Sequence, residues 1–331
     1  MPFVPTARGD VEVGDLGRTL MHEHVFAITA EVAHDYPDLS WTKDKADVID
    51  RVVEKLIATK NSGIDTIVDL TAFGHGRAIW ELQEVASRVE LNIVVATGFY
   101  TNDYLSYFFD FRQPTDSGGK RVDIMTEMCV RDITVGIGGT GIRAGVIKCA
   151  TDKQGVTSNI ERILRAAAGA HRETGVPIST HTDAFAKSGL EQQRVFASEG
   201  VDLSRVIIGH SGDSTDLPYL RELMDRGSLI GCDRFGLYLP EHGLPGMDTR
   251  IDTIARLCEL GYSDRIVLSH DATCFTDWFP AEGGMQLPTW VHTHIGSAVV
   301  PAMLDHGISQ SDVDAMLIEN PRRILENRGR Y

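Results

Sequence analysis

Eight short apolar or β-branched runs recur along the chain, separated by longer amphipathic stretches, and this alternation constrains the fold more than any other feature. The runs fall at 19–25, 66–73, 93–100, 144–150, 177–182, 206–212, 229–236 and 265–273. Helix-like segments lie between them at 43–61, 76–89, 158–174, 190–199, 215–226 and 250–260. Val48, Val52 and Leu56 repeat every fourth residue, and Ile160, Ile163, Leu164 and Ala167 repeat at three and four, so each set shares one buried helix face. Glycines stand where the helices should end, at Gly63, Gly175, Gly200 and Gly227. Strands alternating with helices imply a parallel sheet with crossovers, and eight such units imply closure into an α/β (β/α)8 TIM barrel. A length of 331 residues suits a barrel with decorated loops, and no Pro/Ser-rich linker divides it. Residues 1–331 are therefore expected to form a single domain.

Two connections are unusually long, 235–247 after the seventh strand and 274–290 after the eighth. They carry Phe235, Tyr238, Leu239 and Leu244 in the first, and Phe275, Trp278, Phe279 and Met285 in the second. Long βα loops with apolar tips are expected as lids over the C-terminal mouth of the barrel; a subunit contact is the alternative. Composition narrows the partners. Lys plus Arg number 32 against 47 Asp plus Glu, a net charge of −15, which repels nucleic-acid phosphates and anionic membranes. No apolar run approaches the roughly 20 residues of a membrane helix. The five cysteines are scattered without a Cys-x-x-Cys, and no basic-then-apolar leader opens the chain, so a reducing cytoplasm is the expected setting.

The residues that end the strands carry the chemistry. The first run reads Thr-Leu-Met-His22-Glu23-His24-Val. Residues i and i+2 of a strand face the same way, so His22 and His24 should project together while Glu23 points outward. A pair of inward imidazoles is costly unless something binds them, and a metal ion does so readily. The fifth run ends in His181, the sixth in His210 and the eighth in Ser269-His270-Asp271. Taken singly, each could be a hydrogen-bonded core residue; gathered at one end of one barrel, they read as ligands. His270 neighbours Asp271 and should face the other way, which makes it structural. The fourth run, Gly145-Val-Ile-Lys148-Cys-Ala, sets a lysine among apolar residues. Burial disfavours its ammonium form. A neutral amine beside metal ions can take up carbon dioxide as a carbamate, a bidentate anion able to bridge two metals; an ion pair with a nearby acid is the alternative. His22, His24, Lys148, His181, His210 and Asp271 thus suit a two-metal hydrolytic site. His22, His24 and Asp271 would hold one ion and His181 and His210 the other, with the carboxylated lysine and a hydroxide between them. Ions about 3.5–4 Å apart activate a bridging water, and Asp271 can accept its proton. The nitrogen- and oxygen-rich donor set suits Zn, Co, Mn or Fe.

At these residues the chain resembles the phosphotriesterase branch of the amidohydrolase superfamily. The resemblance runs from Thr-Leu-Met-His22-Glu-His24 through Lys148, Thr180-His181-Thr182, Gly209-His210 and Ser269-His270-Asp271 to Glu319-Asn320-Pro321-Arg-Arg-Ile324. It implies a (β/α)8 barrel, a binuclear metal centre and a carboxylated lysine, zinc being the first expectation. Within the branch the chain looks like the phosphotriesterase-like lactonases. Tyr100, in Thr-Gly-Phe-Tyr, matches the tyrosine that leans over their metal centre. Arg234, in Asp233-Arg234-Phe235, matches their arginine, where organophosphate hydrolases have a histidine. Asp213 matches the acid that passes on the proton from Asp271. The resemblance implies opening of lactone rings, N-acyl-homoserine lactones included, with weak phosphotriester hydrolysis; a phosphotriesterase or carboxylesterase of the same family is the alternative. Phe275, Trp278 and Phe279 would then line a channel for the acyl chain. A homodimer is also implied.

Three other signals are set aside. Gly136-Ile-Gly138-Gly-Thr-Gly141 matches a dinucleotide-binding pattern, but such a loop must follow a strand and open a helix, and here the order is reversed. His292-Thr-His294 falls in an expected helix, where residues two apart diverge by about 200° and cannot easily share a metal. Arg8-Gly9-Asp10 resembles an adhesion tripeptide without an export signal. His34, His75, His171, His242 and His306 have no partner pattern and are expected to be bland.

Overall fold

The structure, a computed structural model, describes residues 2–41, 44–101, 103–117, 120–279, 287–326 and 329–330. Its frame is a ring of parallel strands: β1 Thr19–Ala27, β2 Thr66–Asp69, β3 Asn92–Gly98, β4 Ala144–Ala150, β5 Ile178–His181, β6 Val206–Ile208, β7 Leu229–Cys232 and β8 Ile266–Leu268. Each pairs with the next in chain order. Closure comes from a continuation of β8, Thr273–Thr276, which pairs in parallel with β1, Thr273 opposite His24. Strand eight is thus two pieces, with Ser269 to Ala272 forming a break between them. Cys274 and Phe275, expected in the loop, stand in the second piece, so that loop begins at Asp277.

Helices alternate with the strands, all but α3 and α8 at spans the spacing predicts: α1 Lys45–Asn61, α2 Ile79–Ala86, α3 Ile124–Thr134, α4 Ser158–Thr174, α5 Ser188–Ser198, α6 Leu217–Asp225, α7 Met247–Glu259 and α8 Val300–Asp305. Their starts are chemically marked. Asp44 accepts from the backbone N–H groups of Ala46 and Asp47, and Thr157 from Ile160, satisfying amides that have no partner within the helix. At the end of α4, Gly175 adopts φ 75°, a left-handed cap that costs a glycine little. The glycines at 136–141 form the turn between α3 and β4, so the dinucleotide pattern is a turn into a strand.

Two apolar layers fill the molecule. Val48, Val52, Leu56, Ile163, Leu164 and Ala167 pack the helices against the outside of the ring. Inside it, Met21, Val68, Val94, Ala96, Val146, Ile207 and Val267 form a second core closed below by Leu16, Ile324 and Leu325. Asn320 helps to seat β8, donating from Nδ2 to the carbonyls of Ser263 and Ile266. With the lower barrel filled by hydrocarbon, polar side chains are left at the C-terminal ends of the strands. Among the described residues no helix is long and apolar enough to cross a membrane.

Candidate metal centre

The six residues predicted as ligands meet at that end. His22 and His24 extend from β1, Lys148 from β4 and His181 from β5, while His210 and Asp271 stand just past β6 and β8. Asp271 is the hub. Its Oδ1 lies 3.2 Å from His22 Nε2 and 3.1 Å from His24 Nε2, and its Oδ2 lies 3.7 Å from His210 Nε2. Lys148 Nζ is 2.8 Å from His22 Nε2, and His210 Nε2 is 2.9 Å from His181 Nδ1. Lys148 is 1% exposed, and burial pushes its amine down to about 8.

A second set of residues aims the imidazoles. Asp233, at the end of β7, is buried and accepts from His22 Nδ1 at 2.8 Å with one oxygen and from His210 Nδ1 at 3.0 Å with the other. His24 Nδ1 donates to Thr71 Oγ1 at 2.8 Å, and that hydroxyl donates to Asp69 Oδ1 at 2.5 Å. With their Nδ1 protons taken, all three rings turn a bare Nε2 toward Asp271. The space for Asp233 exists because two neighbours are glycines. A Cβ on Gly231 would stand 2.4 Å from its Oδ2, and one on Gly209 would crowd the same oxygen at 3.2 Å. Burial pushes the Asp233 carboxyl up, but His210 and His22 outweigh it and hold the group below the ordinary range.

Two of the predicted ligands sit on unusual backbone. His210 has φ 59° and Asp271 φ 56°, a left-handed region that costs a non-glycine residue on the order of 1–3 kcal/mol. Neither conformation is legible in the strand pattern, which carried both strands straight through. Glu23, which strand alternation turns away from the two histidines, is fully buried against the break in strand eight. Burial raises its carboxyl, yet His270 and His292 more than offset this and keep it ionised. His270 is structural as expected, its Nδ1 on Glu23 and its Nε2 accepting from the Ile295 amide. His292 lies in a turn rather than a helix, and it and His294 have separate partners, Glu23 and Tyr238.

Above the ligands, Arg234 donates from Nε to Asp271 Oδ2 at 3.0 Å and from Nη1 to Asp213 Oδ2 at 2.9 Å, so it stands between the two acids. Arg250 holds the other oxygen of Asp213 at 2.8 Å. Burial pushes the Asp271 carboxyl up, but His22, His210 and Arg234 bring it well below the ordinary range. Tyr100 meets the His181 ring edge-on, centroids 5.5 Å apart, and burial pushes its phenol up to about 12. His75, which shows no pattern in the sequence, belongs to this site. Its ring lies flat between Tyr100, at 4.2 Å, and Trp278, at 4.9 Å, and edge-on to His24 at 4.6 Å. It is held there by a Gly-His-Gly turn: a Cβ at Gly76 would stand 1.4 Å from the Ile28 carbonyl, and one at Gly74 2.3 Å from that of Tyr100. Burial pushes His75 down to about 2, so it is neutral.

The loop residues divide. Trp278 is 47% exposed and Phe279 48%. Phe275 instead stacks on Trp41, centroids 5.5 Å apart and 7° from parallel, beneath the loop. Phe235 is a fully buried core residue rather than a loop tip, and Met285 lies outside the described residues.

The donor set fits divalent ions. His22, His24 and Asp271 place one ligand atom each within 4.8 Å of one another. Burial keeps His22, down to about 3, and His181 neutral, the form that ligates. Three bare imidazole nitrogens, an amine and a carboxylate crowded in a desolvated pocket are what a cation would stabilise.

A sequence profile described as the phosphotriesterase family matches residues 2–325. A Mycobacterium tuberculosis protein named phosphotriesterase homology protein is 49% identical over 335 residues, with all of both chains covered. An aryldialkylphosphatase of Saccharolobus solfataricus is 35% identical, with 96% of this chain and 98% of that one covered. An N-acetyltaurine hydrolase of Danio rerio is 27% identical, with 97% of each covered. A solved structure described as the phosphotriesterase from Mycobacterium tuberculosis matches with a TM-score of 0.92 at 48% identity, covering both chains fully.

Proposed function

The chain belongs to the phosphotriesterase family, and from that premise we propose that it is a binuclear-metal lactonase, opening N-acyl-homoserine lactones (a quorum-quenching activity) and hydrolysing phosphotriesters weakly. The observation that carries this reading is the placement of Tyr100 and Arg234 against His181 and Asp271, the two positions at which the chain resembles the lactonases. His22, His24 and Asp271 would hold one ion, His181 and His210 the other, with carboxylated Lys148 between them. Bound divalent ions, zinc first and Co, Mn or Fe in its place, would supply Lewis acidity, activating a water and polarising the ester carbonyl.

The chain's own residues do the rest. Lys148, with its amine pushed down to about 8, adds carbon dioxide by forming an N–C bond and releasing a proton. Asp271, held ionised, takes the proton of the attacking water at Oδ2, the oxygen that Arg234 orients. Arg234 ties that oxygen to Asp213, the next acceptor. Tyr100 keeps its proton at neutral pH, so its hydroxyl can donate to the substrate oxygen. Trp278 and Phe279 line the approach for an acyl chain, and Phe275 props their loop through Trp41.

A second reading, a phosphotriesterase or carboxylesterase, is favoured by the 35% identity to an aryldialkylphosphatase. A tetrahedral carbonyl intermediate and a phosphorus centre share a shape, so one site can turn over both. We place the enzyme in the cytoplasm, which suits its five unpaired cysteines. We also read it as a homodimer, a reading supported by the exposed rings of Tyr104, Tyr107, Phe108 and Phe111. Comparing lactone with triester turnover on one metal-loaded preparation tests the reading.

A further inference from the structure

We propose that Glu23, the residue between the two histidines of β1, is a positioning residue that holds Asp271 in its left-handed backbone and so aims it at the metal centre. The proposal rests on the reading of Asp271 as ligand and proton acceptor. Glu23 Oε1 accepts from Ser269 Oγ at 2.8 Å, from the His270 backbone N–H at 3.0 Å and from His270 Nδ1 at 2.6 Å. Its Oε2 accepts from the Ala272 backbone N–H at 3.1 Å and from His292 Nε2 at 3.1 Å. These donors fill the roughly four lone-pair directions of a carboxylate, leaving it no freedom to turn.

The two backbone donors are the amides on either side of Asp271. One carboxylate gripping both ends of so short a segment makes the chain bulge between them, and Asp271 is the residue on the bulge, at φ 56°. The bulge is also bonded to β1. The Asp271 N–H donates to the His22 carbonyl at 2.9 Å, the His24 N–H to the Ala272 carbonyl at 2.9 Å, and the His22 N–H to Ser269 Oγ at 2.8 Å. The side chain that separates two ligands in sequence therefore sets the third in space, bringing Asp271 Oδ1 to 3.2 and 3.1 Å from their Nε2 atoms. A buried acid needing only charge balance would be satisfied by His292, whose imidazolium is favoured beside it. The flanking amides add nothing to that balance; they direct Asp271.

A carboxamide cannot take this place. Whichever way Gln is turned, its NH2 faces N–H donors, those of Ala272 and His292 or those of His270. Glu23→Gln in the full-length protein is the test, with zinc affinity read by competition with a chromophoric chelator and kinetics read on the reloaded enzyme. The expected result is zinc bound about 10–100-fold more weakly, and kcat lower by a similar factor with KM within about twofold, as for loss of a group supporting a ligand. A merely structural role would lower the melting temperature and the yield while folded molecules kept wild-type zinc affinity and kcat, and that outcome overturns the proposal. If Glu23→Gln does not fold, Glu23→Asp decides, since it keeps the charge but draws the carboxylate back from the amides flanking Asp271. It is expected to shift zinc affinity and kcat in the same direction by a few-fold, and wild-type values would overturn the proposal. Wild-type protein that bound no zinc would refute the metal centre itself, a separate failure.

Discussion

Arg234 donates its Nε–H to Asp271 Oδ2 at 3.0 Å. The oxygen in that bond is the one turned toward His210, while the other faces His22 and His24, so the guanidinium fixes which oxygen serves which side of the centre. The same fork reaches Asp213, and a lysine, a point charge on a flexible stem, can serve only one of the two acids. Arg234→Lys should lower kcat/KM for a lactone by about 10–100-fold, some 1.4–2.7 kcal/mol of barrier, through kcat. Steady-state kinetics would show otherwise if only KM moved.

Asp233 holds His22 with one oxygen and His210 with the other, the histidines assigned above to different ions. Asp233→Asn offers one acceptor in place of two and sets its NH2 against an Nδ1–H. Metal affinity should weaken about 10–100-fold for both ions together. Stepwise zinc titration checks this: loss of a single ion with the other at wild-type affinity would mean that the carboxylate does not couple the two sides.

Lys148 gives a test by rescue. Lys148→Ala should abolish turnover and recover part of it with added short carboxylic acids, which can occupy the place of the carbamate. Full activity without additives would remove the carbamate from the site.

The pH dependence of assembly follows from the same amine. Burial lowers the Lys148 ammonium from its ordinary range to about 8, so below that pH the amine is mostly protonated and cannot add carbon dioxide. The neutral fraction grows about tenfold per pH unit up to that point and then saturates. Activation of metal-free protein by zinc at constant dissolved carbon dioxide should therefore quicken from about pH 6 to about 8 and level off above it. A rate independent of pH would contradict an amine that must first lose its proton.

The barrel and the gathering of the six polar side chains at its mouth were legible because each rests on a local signal. Seven-residue β4 runs Ala144–Ala150 as its apolar pattern predicts, and the one cation inside it can only be buried. His22, His24, His181, His210 and Asp271 stand at strand ends, which topology alone gathers at one mouth. What alternation could not reveal was where regular structure stops. Strand eight breaks at Ser269 because Glu23, far away in sequence, captures the amides beside Asp271. Asp233 showed no ligand spacing, since its partners come from other strands, His22 from β1 and His210 from just past β6. His75 showed none either, since its role is fixed by rings from two other loops.

That stack makes its own prediction. His75 lies face to face with Tyr100 and with Trp278. His75→Phe keeps a flat ring and should retain most lactone turnover, whereas His75→Ala frees Tyr100 and should lower kcat/KM about tenfold. In a Tyr100→Phe background the alanine substitution should cost little more. Additive losses would mean that His75 acts independently of the tyrosine.

The most direct measurement compares kcat/KM for a long-chain N-acyl-homoserine lactone and an aryl phosphate triester on one metal-loaded preparation. The expected result is a lactone preference of about a hundredfold, some 2.7 kcal/mol in barrier, that shrinks when Tyr100 or Arg234 is replaced. A triester preference would contradict the assignment, and would mean that the site beside Tyr100 and Trp278 is shaped for a phosphorus ester.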